Sequence, residues 1–399
     1  MTSFTLRLLC FAALWPAAAL AAERVNQYST NDQQFPAVAA SASGLQVIVW
    51  DSVGQDGSLS SIYGRRYRAD GSPAGDEFAV NSDARNRQTF PAVAMAADGR
   101  FVVAWNSNGR DGAGLGVQAR RFAADGAPLG PEFQVHVDGE GAVQPGVGLA
   151  MDPQGNFVVA WADRRISAGL SSLDTRTIQA QRYDAAGQPL GRAITVASSL
   201  FPSVRGPSVG MDAAGGFVVS WIQVPSGLTP ASVRARRIGA DGRALGLGFT
   251  VSQPDAQIAD VDRAKIAVGA SGGFVVTWES FAADARNAGI WARVYRGDGR
   301  ALGPQFRAPD TLQRQPAATM DEAGGFAIAA HGEGIHWQRY AADASPQGAP
   351  IRADDAGAPH TNLLASIAGT ADGGLRLVWQ DYRLDGDSRG IATRRYPPR

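Results

Sequence analysis

"RFVVAW" occupies residues 100–105, and near-copies stand as "NFVVAW" at 156–161, "GFVVSW" at 216–221 and "GFVVTW" at 273–278. An apolar, Val-rich run ending in Trp and recurring at this spacing marks a repeat protein, and a period of roughly 40–50 residues is typical of propeller blades. Lining up the strand ends gives Trp50, Trp105, Trp161, Trp221 and Trp278, then "GFAIAAH" at 325–331 with His331 in the Trp position, and Trp379. That makes seven copies.

Each copy holds four short segments, clearest in the second: "PAVAM" at 91–95, "RFVVAW", "VQARRF" at 117–122 and "EFQV" at 132–135. All are rich in β-branched or aromatic residues and bounded by turn residues, the pattern of short strands. "AADGR" at 96–100 is an Asp-Gly hairpin turn, and "AADGAPLG" at 123–130 is a longer one that returns as "RADGSPAG", "DAAGQPLG", "GADGRALG" and "RGDGRALG". The prediction is an all-β chain, a seven-bladed β-propeller of four-stranded antiparallel blades.

The two ends of the repeat array complement each other. "RVNQYSTNDQQFPAVAA" at 24–40 aligns without a gap on "AVNSDARNRQTFPAVAM" at 79–95, so the first copy is preceded by a fourth strand; "GIATRRYPPR" at 390–399 carries the third strand of the last copy, with no fourth after it. An N-terminal outer strand completing the C-terminal blade would close the ring and hide its edges. Residues 22–399 are therefore expected to form one domain.

Residues 1–21 read as an export signal, with Arg7, an apolar run from Leu8 to Leu20 and the small-x-small Ala19-Leu20-Ala21. The expected location is periplasmic or extracellular. Cys10, the single cysteine, falls inside that segment, so no disulfide is expected. No later run approaches the length of a membrane span. Lys+Arg and Asp+Glu both number 37, and a balanced chain has no broad field for nucleic acid. Of the 37 basic residues, one is lysine, Lys265. A monomer is expected.

A Trp required in nearly every copy is expected to pack blade on blade. The Arg recurring near the end of strand three (Arg66, Arg121, Arg182, Arg237, Arg339, Arg395, with Val294 in the fifth copy) is expected to pair with hairpin acids such as Asp70, Asp125 and Asp241. Function should lie where copies differ, on the rim of loops beyond strand two. The candidate ligand-binding residues there are Asp51, Asn106, Asp163, Glu279, His331, Glu333 and Asp381. The sixth copy has only Gly332, Glu333 and Gly334 before strand three, which predicts a notch and a ligand entrance. His331, Glu333 and His336 lack the helix that an HExxH zinc site needs. Asp381, Asp385 and Asp387 around Gly386 are a weak cue for calcium, without EF-hand spacing.

The copies resemble a repeat found in tandem in large secreted bacterial proteins of the RTX-like, calcium-associated kind, roughly "GGFVVxWxSxxQDGSGxGIxAQRFDAxGxxxGxEFxVN". Here it stands as "LQVIVWDSVGQDGSLSSIYGRRYRADGSPAGDEFAVN" at 45–81. The resemblance implies an exported surface protein, calcium as a cofactor, and no particular reaction.

The sequence shows no phosphate-binding loop and no dinucleotide fingerprint. The expectation is a binding or interaction module for a surface glycan or an envelope protein. The rivals are a polysaccharide-acting glycosidase or lyase using two carboxylates among Asp51, Asp163, Glu279, Glu333 and Asp381, and a purely structural repeat protein.

Overall fold

The computed structural model describes residues 22–83, 87–108, 115–136, 146–166, 174–199, 203–225, 230–253, 258–282, 288–355, 363–386 and 388–398. The export segment at 1–21 and Asp387 lie outside them. The described residues form seven four-stranded antiparallel sheets arranged as a ring, with no helix among them. The architecture is a seven-bladed β-propeller.

Blade 2 shows the plan: innermost strand Gln88–Met95, second strand Phe101–Asn108, third Leu115–Phe122 and outer strand Phe133–Gln134. The Asp-Gly turn expected at 96–100 is present, with Gly99 at φ 89°, a conformation that favours glycine. Blade 7 is built from Leu363–Gly369, Leu375–Asp381 and Gly390–Tyr396, and its outer strand is the N-terminal Glu23–Arg24. Glu23 pairs with Thr393 and Arg24 with Ala392, so the ring closes as the sequence predicted.

Seven apolar clusters fill the seven blade boundaries. Each strand-two Trp packs on the blade before it: Trp105 lies with Val47, Val49 and Ile62 of blade 1, and Trp50 with Val378 and Ile391 of blade 7. Trp50, Trp105, Trp278 and Trp379 have no exposed surface. Their indoles find partners where the neighbouring strand supplies one, as Trp50 Nε1 donates to Gln33 Oε1 at 3.2 Å and Trp105 Nε1 to Gln88 Oε1 at 2.9 Å. The tryptophans are the frame.

The register of blade 6 corrects one expectation. Its second strand pairs Phe326 with Met320 and His331 with Arg314, while in blade 5 the corresponding acid Glu279 pairs with Asp262. Trp278 lies four residues after Phe274, and four after Phe326 is Ala330. Ala330, not His331, therefore takes the Trp position; His331 is one step beyond, level with Asp51, Asn106 and Glu279. Leu312 is fully buried in the same cluster as Ala330.

The recurrent arginines are structural, but their partners are not the acids of their own hairpins. Arg121 Nη1 donates to Ala185 O at 2.9 Å, in the corresponding turn of the next blade, and Arg66 reaches Ala124 O at 3.2 Å in the same way. Arg395 of blade 7 reaches Asp70 O of blade 1 at 3.1 Å. Asp70, Asp125 and Asp241 instead accept backbone N–H groups within their own turns. A second set works the other way: Arg120 Nη1 donates to Val80 O at 2.9 Å and Arg65 Nη1 to Val25 O at 3.0 Å, each on the preceding blade's outer edge. A guanidinium offers several fixed donors, which suits a stitch between blades.

Candidate functional site: the mouth of the central channel

The innermost strands do not run straight into the ring. In blade 1, Gln34 pairs with Asp51 and Ala37 with Val49, so Phe35 and Pro36 together oppose Trp50. The same two-against-one bulge occurs in blades 2, 4, 5, 6 and 7. Bulges of this kind re-aim side chains and recur beside binding sites. In blades 1, 2, 5 and 6 its first residue is left-handed, Phe35 at φ 53°, Phe90 at 53°, Arg263 at 52° and Gln315 at 53°, as are Gly206 at 60° in blade 4 and Gly146 at 103° at the matching place in blade 3.

Glycine is at ease in that conformation. Phe, Arg and Gln are not, each holding about 1–3 kcal/mol of strain that the surrounding structure must sustain. The four strained side chains gather at one opening, the mouth of a central channel of about 650 Å³ that is also lined by Arg205, Asp262 and Lys265. Phe35 and Phe90 are half-buried, with ring centroids 4.1 Å apart. Beside them Arg205 Nη2 lies 3.6 Å from Asp262 Oδ1, and Arg263 Nη1 lies 3.2 Å from Glu279 Oε2.

The rim candidates fall largely beneath this mouth. Glu279 is buried and its Oε2 also accepts the N–H of Gln315 at 3.2 Å, while Asn106 Oδ1 accepts the N–H of Gly146 at 2.8 Å. Both therefore clamp the left-handed residue of the following blade. Asp51 is fully buried and accepts the hydroxyl of Thr89, next to Phe90. Burial pushes its carboxyl up to about 6, against the opposing pull of the Thr89 hydrogen bond and the Arg87 charge. Asp163 is buried with its Oδ2 3.9 Å from His136 Nε2.

The rest lie elsewhere. His331 is buried, and Glu333 is exposed at the tip of the turn between Phe326–Gly332 and Gly334–Tyr340. That turn is short, as predicted, but it is packed: a Cβ on Gly332 would lie 2.2 Å from Thr311 O, and one on Gly334 2.5 Å from Asp354 Oδ1. Asp381 accepts the N–H of Arg383 at 2.9 Å. Asp385 closes the ring, accepting from Asn26 Nδ2 at 2.7 Å and pairing with Arg24 at 3.3 Å. Among the described residues, no group of three or more His, Cys, Asp or Glu is arranged to hold a metal ion. The five acids named for catalysis sit on five different blades, 1, 3, 5, 6 and 7.

Sequence reading did not single out Phe35, Phe90, Arg205, Asp262, Arg263 and Gln315. The available signal was the residue before the strand-one proline, which varies among copies as Phe, Phe, Gly and Gln where the frame residues repeat.

No protein-family model matches the chain, and no curated protein matches it in sequence. Among solved structures it is similar to a protein of unknown function from Dyadobacter fermentans DSM 18053, with TM-score 0.56 and 11% identity over 96% of this chain and 100% of that one. It is also similar to a polysaccharide lyase of family PL25, an ulvan lyase bound to a GlcA(1-4)Rha3S ligand, at TM-score 0.56 and 10% identity over 94% and 96% of the two chains. A Penicillium chrysogenum α-L-arabinanase complexed with arabinobiose follows at TM-score 0.52 and 13% identity, covering 78% and 93%. At these identities the likeness is one of fold.

Proposed function

We propose that this chain is an exported glycan-binding propeller whose ligand is received at the mouth of the central channel. The observation that carries the reading is the ring of strained, solvent-facing side chains there, Phe35, Phe90, Arg263 and Gln315, at positions where glycine would hold the same backbone at less cost. An aromatic face beside guanidinium and amide donors is the usual chemistry of a sugar site: apolar ring faces stack, hydroxyls find polar partners. Two of the similar folds are described with carbohydrate bound, which supports the choice of glycan over an envelope protein.

The rival enzyme finds less support. Asp51 has the raised pKa of a general acid, but its side chain has no exposed surface and so touches no ligand in this conformation. Binding of an oligosaccharide panel to residues 22–399 by calorimetry tests the proposal. Phe35→Ala and Phe90→Ala should each weaken whichever glycan binds by tenfold or so; unchanged affinity in both would remove the mouth from consideration.

A further inference from the structure

The channel holds the chain's only lysine. Lys265 lies on the innermost strand of blade 5, opposite Thr277. At the same step the other blades carry Ala37, Ala92, Gly148, Ser208, Ala317 and Ser366. No other blade projects more than a methyl or hydroxymethyl group there, so the long amine enters a lumen left open by six small residues. Its side chain is exposed to the channel that the innermost strands of the ring line.

Among the described residues the charges around it do not balance. Those lining the channel include Arg205, Arg263 and Lys265 with one carboxylate, Asp262, and Glu279 pairs with Arg263. Asp262 faces Arg205, and Glu279 faces Arg263. Among the described residues no carboxylate pairs with Lys265, and no side-chain hydrogen bond involves it. The amine is held below the usual lysine range, first by its enclosure and second by the Arg263 charge, a cost that a bound anion would relieve. Everywhere else the chain makes its cationic contacts with arginine, whose planar fork suits carbonyls; here alone it places a compact point charge on a flexible stem.

We propose that the channel is an oxyanion subsite, in which Lys265 binds the acidic group of a charged glycan whose sugar rings lie at the Phe35–Phe90 mouth. The inference rests on the glycan reading and narrows it to acidic carbohydrate. The shared chemistry is a sugar-borne oxyanion, either the carboxylate of a uronate or a sulfate ester.

Because the chain has one lysine, reductive methylation with carbon-13 formaldehyde labels a single side-chain amine, distinct in the NMR spectrum from the labelled N-terminus. The labelled chain is titrated with trigalacturonate, a sulfated galactotriose and neutral galactotriose, alongside calorimetry on the unlabelled protein and on Lys265→Met and Lys265→Arg. The expected result is a shift of the lysine signal with an acidic probe. In calorimetry that probe binds about tenfold or more tighter than the neutral one, a preference lost in Lys265→Met and retained in part in Lys265→Arg. Whether the uronate or the sulfate ester produces the shift identifies the source of the anion, and either supports the proposal. Neutral galactotriose binding as tightly as both acids, with the lysine signal stationary, overturns the oxyanion subsite and leaves the mouth a glycan site. No binding by any of the three overturns both.

Discussion

The two faces of this propeller are built on opposite terms. On the face of the long Asp-Gly turns, the copies do nearly the same thing: an arginine from one blade bonds a turn of the next, with Val294 of the fifth copy the exception, and stacked rings such as Phe101–Phe122, Phe157–Tyr183 and Phe274–Tyr295 recur at 4.9, 4.8 and 4.7 Å. At the channel mouth the backbone repeats but the side chains do not, and several sit in a conformation that costs energy. Repetition marks what the ring needs to stay closed. Departure from it, on a shared backbone geometry, is where the proposed ligand site lies.

The largest test of that contrast is the frame itself. Trp105→Ala removes a fully buried indole from the boundary of blades 1 and 2, and large-to-small changes of this kind cost about 3–5 kcal/mol. The denaturation midpoint should fall accordingly. Blade 6 already lives with Ala330 at this position, so Ala330→Trp should fail to stabilise: Ala330 is fully buried in one cluster with Leu312, and overpacking costs about 1–3 kcal/mol.

Asp51 tests the layer between frame and mouth. Its folded-state pKa of about 6 lies above the ordinary value of 3.8, so the folded protein holds the proton more tightly than the unfolded chain. Stability from this group is fully present below about pH 4 and is lost as pH rises through about 6. Asp51→Asn keeps an acceptor for Thr89 without the charge. It should raise stability at pH 7.5 by up to about 3 kcal/mol and by nothing measurable at pH 4, read from unfolding midpoints at the two values.

A stitching arginine should matter less. Arg121→Ala removes a charged hydrogen bond to Ala185 O on a half-buried surface, and a loss of about 1–2 kcal/mol is expected, insensitive to any ligand at the mouth. A change in ligand affinity of the size seen for the mouth residues would dissolve the distinction between the two faces.

How much of this could be read beforehand follows the same division. The blades, their strand order and the closing strand were legible because they repeat, and a repeat supplies its own internal alignment. The Trp slot of blade 6 was misplaced by one residue because "IAAH" offers no bulky side chain to fix the register; counting four from Phe326 resolves it. The bulge was illegible for a physical reason. A residue before proline is biased toward extended backbone, so Phe35-Pro36 and Phe90-Pro91 read as ordinary strand. The polar rim residues were found by position, but sequence alone did not show that Glu279 and Asn106 turn inward to hold the next blade's backbone.

Phe35 offers the smallest effect and the sharpest distinction. Glycine at this position relieves left-handed strain worth about 1–2 kcal/mol, while losing the Phe90 contact worth about 0.5–1.5 kcal/mol. Phe35→Gly should therefore leave the unfolding midpoint nearly unchanged. Phe35→Ala keeps the strain and loses the contact, so it should be the less stable of the two by about 1 kcal/mol. If both variants instead destabilise as Trp105→Ala does, the aromatic pair belongs to the frame. If Phe35→Gly is neutral in stability and defective in glycan binding, the strain at the mouth is sustained for the ligand, because the fold would be served as well by glycine.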